Sequence, residues 1–275
     1  MTNQTMNIPQ VTLNTGANMP HIGFGVWQIK NREDCIMAVK EAIAAGYRHI
    51  DTAQIYGNEA YVGEAVQESG ITREDMFITT KISIHNFLRV EKSFNSSLER
   101  LGMEYVDLLL LHFPVTVLRN SAWQHLEKIH HEGKAKAIGV SNYTIRHLKQ
   151  LMSNSVIKPA VNQVELHVYL QQPELLEFCE DNGIVVQAYS PLAHGKGMDN
   201  ETLQMIADKH GKTPAQIMLR WCVEVGTVPL PKSSTSERIN ENIEIFDFEL
   251  DIEDIQKLQQ LDQDMHTCWD PTRTP

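Results

Sequence analysis

No stretch of this 275-residue chain is apolar enough to span a membrane. The best run, Val106 to Val115, is interrupted by Asp107 and His112 and falls short of the roughly 18 residues a span needs. Basic charge is also scarce. With 24 Lys+Arg against 35 Asp+Glu, the net charge is −11. That argues against nonspecific nucleic-acid binding, which needs clustered cations, but leaves room for a small anion in a local basic pocket. Met1 to Gln10 is polar and has no apolar centre, so no signal peptide is expected. Cys35, Cys179, Cys222 and Cys268 are far apart, with no C-x-x-C pair, and are expected as buried thiols in a reducing cytoplasm. The one adjacent histidine pair, His130–His131 beside Glu132 and Gly133, reads as an exposed helix end, so no metal is expected. Linkers, low-complexity segments and composition shifts are missing too. With 42% hydrophobic and 21% charged residues, disorder is excluded and one domain over residues 1–275 is expected.

What is present is a strand followed by a helix, many times over. Strand-like runs occupy Ile22–Trp27, His49–Ala53, Met76–Ile82, Val106–His112, Ala135–Ser141, Pro159–Leu166, Ile184–Ser190 and Thr227–Pro231. Helical patterns cover Arg32–Ala45, Asn58–Ser69, Val90–Leu101, Ser121–His131, Ile145–Met152, a stretch from Pro173, Glu201–His210 and Thr213–Val225, closing with Ser236–Ile243 and Ile252–Leu261. Gly46, Gly70, Gly102 and Gly133 stand where left-handed C-caps belong. Eight such units, spaced about 25–30 residues apart as βα units are, predict an α/β fold, a closed (β/α)8 TIM barrel. The alternative, a doubly wound open sheet, more often carries G-x-G-x-x-G after its first strand. Here Gly23-Phe24-Gly25 is followed by Gln28 in place of the third glycine. Val11–Leu13, a turn at Asn14-Thr15-Gly16, and Ala17–Pro20 predict an N-terminal hairpin plugging the barrel bottom.

In such a barrel the C-terminal strand ends share one face, where active sites lie. Polar residues there are Asp51, Lys81, His112, Ser141, Asn142, Asn162, Gln163, Tyr189, Ser190, Lys232 and Ser233, with Tyr56 just past Asp51. Taken singly, each has a plain reading: Asp51 as an N-cap, Lys81 as a solvated edge, His112 as a core histidine, Tyr56 as a packed aromatic. Together an acid, a tyrosine, a lysine and a histidine suggest proton transfer. A tyrosine hydroxyl titrates near 10. A lysine cation beside it favours the phenolate and lowers that value, and a carboxylate keeps the lysine charged and aimed. A histidine can hold a carbonyl oxygen. The set suits carbonyl reduction, with hydride from a cofactor.

Three motifs then show a resemblance. Gly46-Tyr47-Arg48-His49-Ile50-Asp51-Thr52-Ala53 with Tyr56-Gly57-Asn58-Glu59 and Val62-Gly63, Lys136 to Tyr143, and Leu230-Pro231-Lys232-Ser233 with Arg238, Glu241 and Asn242 resemble, in order, the signatures of the aldo-keto reductases. The resemblance runs from about Gly25 to Asn242. It implies Tyr56 as general acid, Lys81 and Asp51 as its tuners, and His112 as the group orienting the carbonyl. It implies NADP(H) as cofactor. Tyr189 would stack on the nicotinamide, and Ser141, Asn142 and Gln163 would hold its carboxamide. Ser190 and Leu192 would lie near the pyrophosphate, with Val26, Trp27 and Asp51 also on the cofactor. Lys232, Ser233, Ser234 and Arg238 would bind the 2′-phosphate, an assignment that two cations and hydroxyls at a helix start support independently. Glu241 and Asn242 would face adenine. Trp27, Tyr56, His112 and Phe113 would line the substrate pocket. Phe113 stands where many relatives have tryptophan.

Pro114–Asn120 and the tail after His266 are short, which predicts an open pocket. Trp269 is open between a cover on the mouth and a terminal anchor. The expected function is an NADPH-dependent reductase of aldehydes and ketones, cytoplasmic and monomeric, acting on small carbonyls without membrane or nucleic-acid partners. Two alternatives remain: a nicotinamide-sensing subunit without turnover, and an aldolase using Lys81 as a Schiff-base amine.

Overall fold

The computed structural model describes residues 8–275; residues 1–7, most of the polar N-terminal segment, lie outside the described residues. Strands β1 (Gln10–Thr12) and β2 (Asn18–Pro20) pair antiparallel as the expected hairpin. Eight parallel strands follow, each beside its predecessor: β3 (Phe24–Gly25), β4 (His49–Asp51), β5 (Phe77–Ile82), β6 (Val106–Leu111), β7 (Ala135–Ser141), β8 (Val161–Glu165), β9 (Val185–Tyr189) and β10 (Val228–Leu230). The ends of the sheet meet through Gly23 N–H to Pro229 O at 3.0 Å and Gly25 N–H to Pro231 O at 2.9 Å, which closes the barrel. Around it run α1 (Arg32–Ala45), α2 (Glu59–Glu68), α3 (Val90–Leu101), α4 (Arg119–His131), α5 (Ile145–Met152), α6 (Pro173–Asp181), α7 (Glu201–His210), α8 (Pro214–Glu224), α9 (Ser236–Ile243) and α10 (Ile252–Gln259).

Local chemistry accounts for the boundaries. Asn31 caps α1 by accepting from Asp34 N–H, and Gly46 ends the helix at φ 113°. Thr213 and Gln216 form a reciprocal capping box on α8 behind Pro214. The first barrel strand is shorter than the Ile22–Trp27 run suggests, because the chain turns out at Gln28, whose φ is 63°. Short 3-10 turns at Gln54–Tyr56, Ile84–Asn86 and Ala193–Gly195 were not anticipated. All three follow C-terminal strand ends, so they shape the functional face.

Buried strands β5 and β6 are closed to solvent along their whole length, as their apolar runs require. Leu13 and Met19 of the hairpin pack with Phe77, Leu108, Ala137 and Val228. This plugs the N-terminal end of the barrel. The outer layer is as tight. On α2, a Cβ added to Gly63 would stand 2.1 Å from the Leu101 carbonyl oxygen. Only a glycine lets α2 approach the end of α3 so closely.

Gly63→Ala must therefore push α2 off α3. Urea denaturation should show a loss of about 1–3 kcal/mol; an unchanged midpoint would mean that the two helices can part without cost.

Candidate active site

β4, β5 and β6 deliver the acid, the lysine and the histidine to one rim, and the turn after β4 brings back the tyrosine. Lys81 is fully buried. Its Nζ donates to Asp51 Oδ1 at 2.5 Å, to Thr52 O at 3.0 Å and to the Tyr56 hydroxyl at 3.4 Å. All three donors of the ammonium are thus engaged, which argues against free amine attack of the Schiff-base kind. The Tyr56 and His112 rings meet edge to face, centroids 5.8 Å apart. Tyr56 and His112 are both half-buried, so they remain open to the cleft while Lys81 lies behind them.

The electrostatics differ in one respect from expectation. Burial, then the Asp51 carboxylate, pushes the Tyr56 hydroxyl well above 10, where a lowering by Lys81 was expected. The reason is that burial of Tyr56 itself disfavours the charged phenolate, and the carboxylate of Asp51 adds to the rise. Tyr56 is therefore a neutral phenol across the ordinary pH range. Burial, with the nearby Lys81, drops His112 to about 3, so its ring is neutral and keeps one N–H donor.

A second group adjoins this one. Gln163 Nε2 donates to Asp51 Oδ2 at 2.8 Å, and Ser141 Oγ donates to Gln163 O at 2.9 Å. Asn142, at φ 65°, donates from Nδ2 to His112 O at 3.1 Å and accepts the Tyr189 hydroxyl on Oδ1 at 2.8 Å. Val26 is buried; its carbonyl accepts from Asn58 Nδ2 at 2.9 Å, which fixes the turn bearing Trp27. The expected nicotinamide residues are thus contiguous with the catalytic four. Leu192 is half-buried in the following loop, and Ser190 Oγ lies 3.1 Å from His194 Nε2.

The last group lies between β10 and α9. Lys232, Ser234 and Arg238 are exposed, and Ser233 is buried. Neither Lys232 nor Arg238 has an acidic partner among the described residues. Among the described residues no side chain caps the start of α9 at Thr235, so its N–H groups add to the set of donors here, although Glu237 places one acid in the first turn. Such a set fits a phosphate. Glu241 already accepts from Thr213 Oγ1 at 2.6 Å, and Asn242 is buried.

The substrate side holds three aromatics expected from the sequence and one residue, Glu165, that was not singled out there. Trp269 folds over the mouth, its ring 3.9 Å from that of Phe113 and 53% exposed. Trp27 faces His194 across the cleft at 5.6 Å. Cys268, expected as a buried thiol, is only half-buried, with Sγ 3.4 Å from Ser190 Oγ. The other three cysteines are buried and free. Glu165, the last residue of β8, fixes this tail. It accepts from Thr267 N–H at 2.7 Å and from Cys268 N–H at 3.1 Å, and it also takes the Thr267 hydroxyl. Burial opposes its charge, but bonds from His167, Thr267 and Cys268 outweigh it and hold the carboxyl at about 2. A polar residue ending a strand was the available signal for Glu165. At the far end of the tail, Arg119 donates to Pro275 O at 2.8 Å, and His147 Nε2 lies 3.0 Å from Thr274 O.

Comparison with known proteins gives one answer. The Aldo/keto reductase family model matches residues 21–263. Glyoxal reductase of Bacillus subtilis is 46% identical over 256 residues, covering 92% of this chain and 93% of that protein. Methylglyoxal reductase of Escherichia coli is 40% identical over 265 residues, 95% of this chain and 96% of that one. The crystal structure of a Bombyx mori aldo-keto reductase in complex with NADP superposes with a TM-score of 0.90 at 34% identity, covering 95% of each chain.

The depressed Glu165 carboxyl makes the tail clasp acid-sensitive. With a folded value of about 2 below the unfolded value near 4.3, its contribution is full above about pH 4.5 and disappears as pH falls towards 2. Glu165→Gln should lower stability in urea at pH 7 by about 2–3 kcal/mol, and the gap to the parent should close on acidification. A gap independent of pH would show that the charge is not what holds the tail.

Proposed function

The chain belongs to the aldo/keto reductase family, and from that premise we propose that it reduces aldehydes and ketones, small dicarbonyls among them, to alcohols with NADPH. The observation that carries this reading is Tyr56, a protonated phenol with its hydroxyl 3.4 Å from the Lys81 ammonium and its ring edge-on to neutral His112. The names of the Bacillus and Escherichia relatives support reactive small aldehydes as the substrate class.

Chemistry follows from the protonation states. A carbonyl entering the mouth between Trp27, Phe113 and Trp269 presents its oxygen to Tyr56 and His112. NADPH, when bound, would supply the hydride. As negative charge grows on the oxygen, the Tyr56 hydroxyl hands over its proton, and the His112 N–H holds the oxygen in line. The Lys81 ammonium, kept charged by Asp51, stabilises the phenolate left behind. In the reverse direction that phenolate is the base. The raised value of Tyr56 keeps its proton in place at rest, so the hydroxyl is loaded before the hydride arrives.

Cofactor assignments rest on the same residues. Tyr189 would stack on the nicotinamide, and Ser141, Asn142 and Gln163 would hold its carboxamide. Gln163 suits this best, because no group donates to its Oε1 among the described residues. Val26, Trp27, Ser190 and Leu192 would line the path of the pyrophosphate, and Glu241 and Asn242 the adenine. Lys232, Ser233, Ser234 and Arg238 would take the 2′-phosphate. We place the enzyme in the cytoplasm as a monomer of one barrel domain; four free cysteines fit a reducing compartment, and no helix of the described residues is long and apolar enough to cross a membrane.

Tyr56→Phe should cut kcat for carbonyl-dependent NADPH oxidation by about 100- to 10,000-fold while leaving cofactor affinity unchanged. A fully active variant, or a parent protein that binds NADPH and turns over no member of an aldehyde and dicarbonyl panel, would sink the proposal. Arg238→Ala should weaken NADPH by about 10–100-fold, the worth of a charge-assisted bond, and NADH hardly at all. Equal weakening of both in a fluorescence titration would remove Arg238 from the 2′-phosphate.

A further inference from the structure

A second set of cations, two of them without an acidic partner among the described residues, lies away from the reductase cleft, on the outer layer beside α3. A surface cavity of about 230 Å³ is lined by Asn86, Arg89, Lys92, Ser93, Ser96 and Arg100. Three of the six are cations, three are neutral and polar, and none is acidic, in a chain whose net charge is −11. Arg89, Lys92, Ser93, Ser96 and Arg100 follow the three- and four-residue spacing of one helical face, where like charges repel and destabilise. The repulsion between Arg89 and Lys92 is modest, and a bound anion would relieve it.

The walls are also fixed in advance. Arg89 donates its Nε to Asn86 Oδ1 at 3.0 Å, leaving both terminal nitrogens free. Arg100 is gripped by the buried carboxylate of Glu59 through Nε at 2.8 Å and Nη2 at 2.6 Å, leaving Nη1. Lys92 makes no ion pair among the described residues. Behind the cavity Gln54 joins its two sides. Its amide donates to Ser93 O at 3.1 Å, and its Oε1 accepts from Asn86 Nδ2 at 2.8 Å and from Ser83 N–H at 2.9 Å. Gln54 opens the turn that ends in Tyr56, so the floor of the cavity and the seat of the proton donor are parts of one hydrogen-bonded unit.

We propose that this cavity is a binding site for a small oxyanion of the phosphate-monoester class, separate from the cofactor site. Its free donors, the terminal nitrogens of Arg89, Nη1 of Arg100 and the Lys92 ammonium, match a group with several acceptor oxygens. Glu59 neutralises much of Arg100, so Arg89 and Lys92 carry the net attraction. A cavity of about 230 Å³ with only six lining side chains holds one small anionic group rather than a membrane surface or a polynucleotide strand. The site does not depend on the reductase reading.

The test is a calorimetric titration of inorganic phosphate at constant ionic strength into protein carrying Lys232→Ala and Arg238→Ala, so that the other basic cluster is silent. Saturable binding is expected, with amide shifts at Asn86 and Ser93 in NMR spectra. Adding Arg89→Gln and Lys92→Gln should weaken it at least tenfold. Both side chains are exposed and free of acidic partners, so the fold should survive, as circular dichroism would verify. Absence of saturable binding, or binding that the two substitutions leave undiminished, would overturn the proposal.

Discussion

The burial of Lys81 is the constraint from which the rest of the barrel top follows. An ammonium with no solvent exposure must be paired and fully hydrogen-bonded, or it would shed its proton. Asp51 pairs with it, and Asp51 in turn needs a donor for its other oxygen. Gln163 supplies it, then passes its second N–H to Gln187 Oε1 at 2.8 Å, and Gln187 reaches Met19 Sδ of the hairpin plug at 3.1 Å. One polar thread therefore runs through an otherwise apolar interior, from the catalytic rim to the plug. It links β4, β5, β8 and β9 in a single register, because a slip in any one would strand a buried polar group. Site and fold are specified by the same bonds.

That coupling explains which features were legible in the sequence. The eight strands and their helices are written in local periodicity and caps. Arg32–Ala45, Val90–Leu101 and Ala135–Ser141 have in the structure the bounds that their patterns imply. The positions of Asp51, Lys81 and His112 at strand ends followed from topology. Their mutual distances did not, since those depend on barrel closure. The direction of the Tyr56 shift is illegible for a related reason. Residue types predict that a lysine lowers a tyrosine, whereas the depth of Tyr56 and the nearness of Asp51 reverse the balance, and depth is a property of packing. The tail was illegible because its anchors, Glu165, Arg119 and His147, lie about a hundred residues or more away in the chain. No local signal marks such a pairing.

Charge is distributed by the same logic. Net acidity governs what the surface as a whole repels, but binding is decided within a few ångströms, inside a Debye length of about 10 Å. Lys232 and Arg238 stand free of acidic partners among the described residues, whereas other cations are matched from within: Lys209 sits on Asp251 and Asp254, and Arg73 on Asp107. Where open cations stand together beside hydroxyls and helix N–H groups, the counter-charge can come from outside.

The tail shows how selectivity can be set without long lids. Trp269 lies against Phe113 because its segment is stretched between two fixed points. Glu165 holds its root, and the α4 and α5 side chains hold its end. A chain segment tethered at both ends loses little further entropy when a ligand arrives, so a short strap can present a rigid aromatic wall. Its contact is ring against ring, Trp269 on Phe113. Phenylalanine offers no polar atom there, so this wall can discriminate by shape and area but not by hydrogen bonding. Discrimination of that kind is coarse, a few kcal/mol at most between similar apolar groups. On the function proposed above, such a pocket would accept a range of small carbonyls, with Tyr56 and His112 as its fixed polar points.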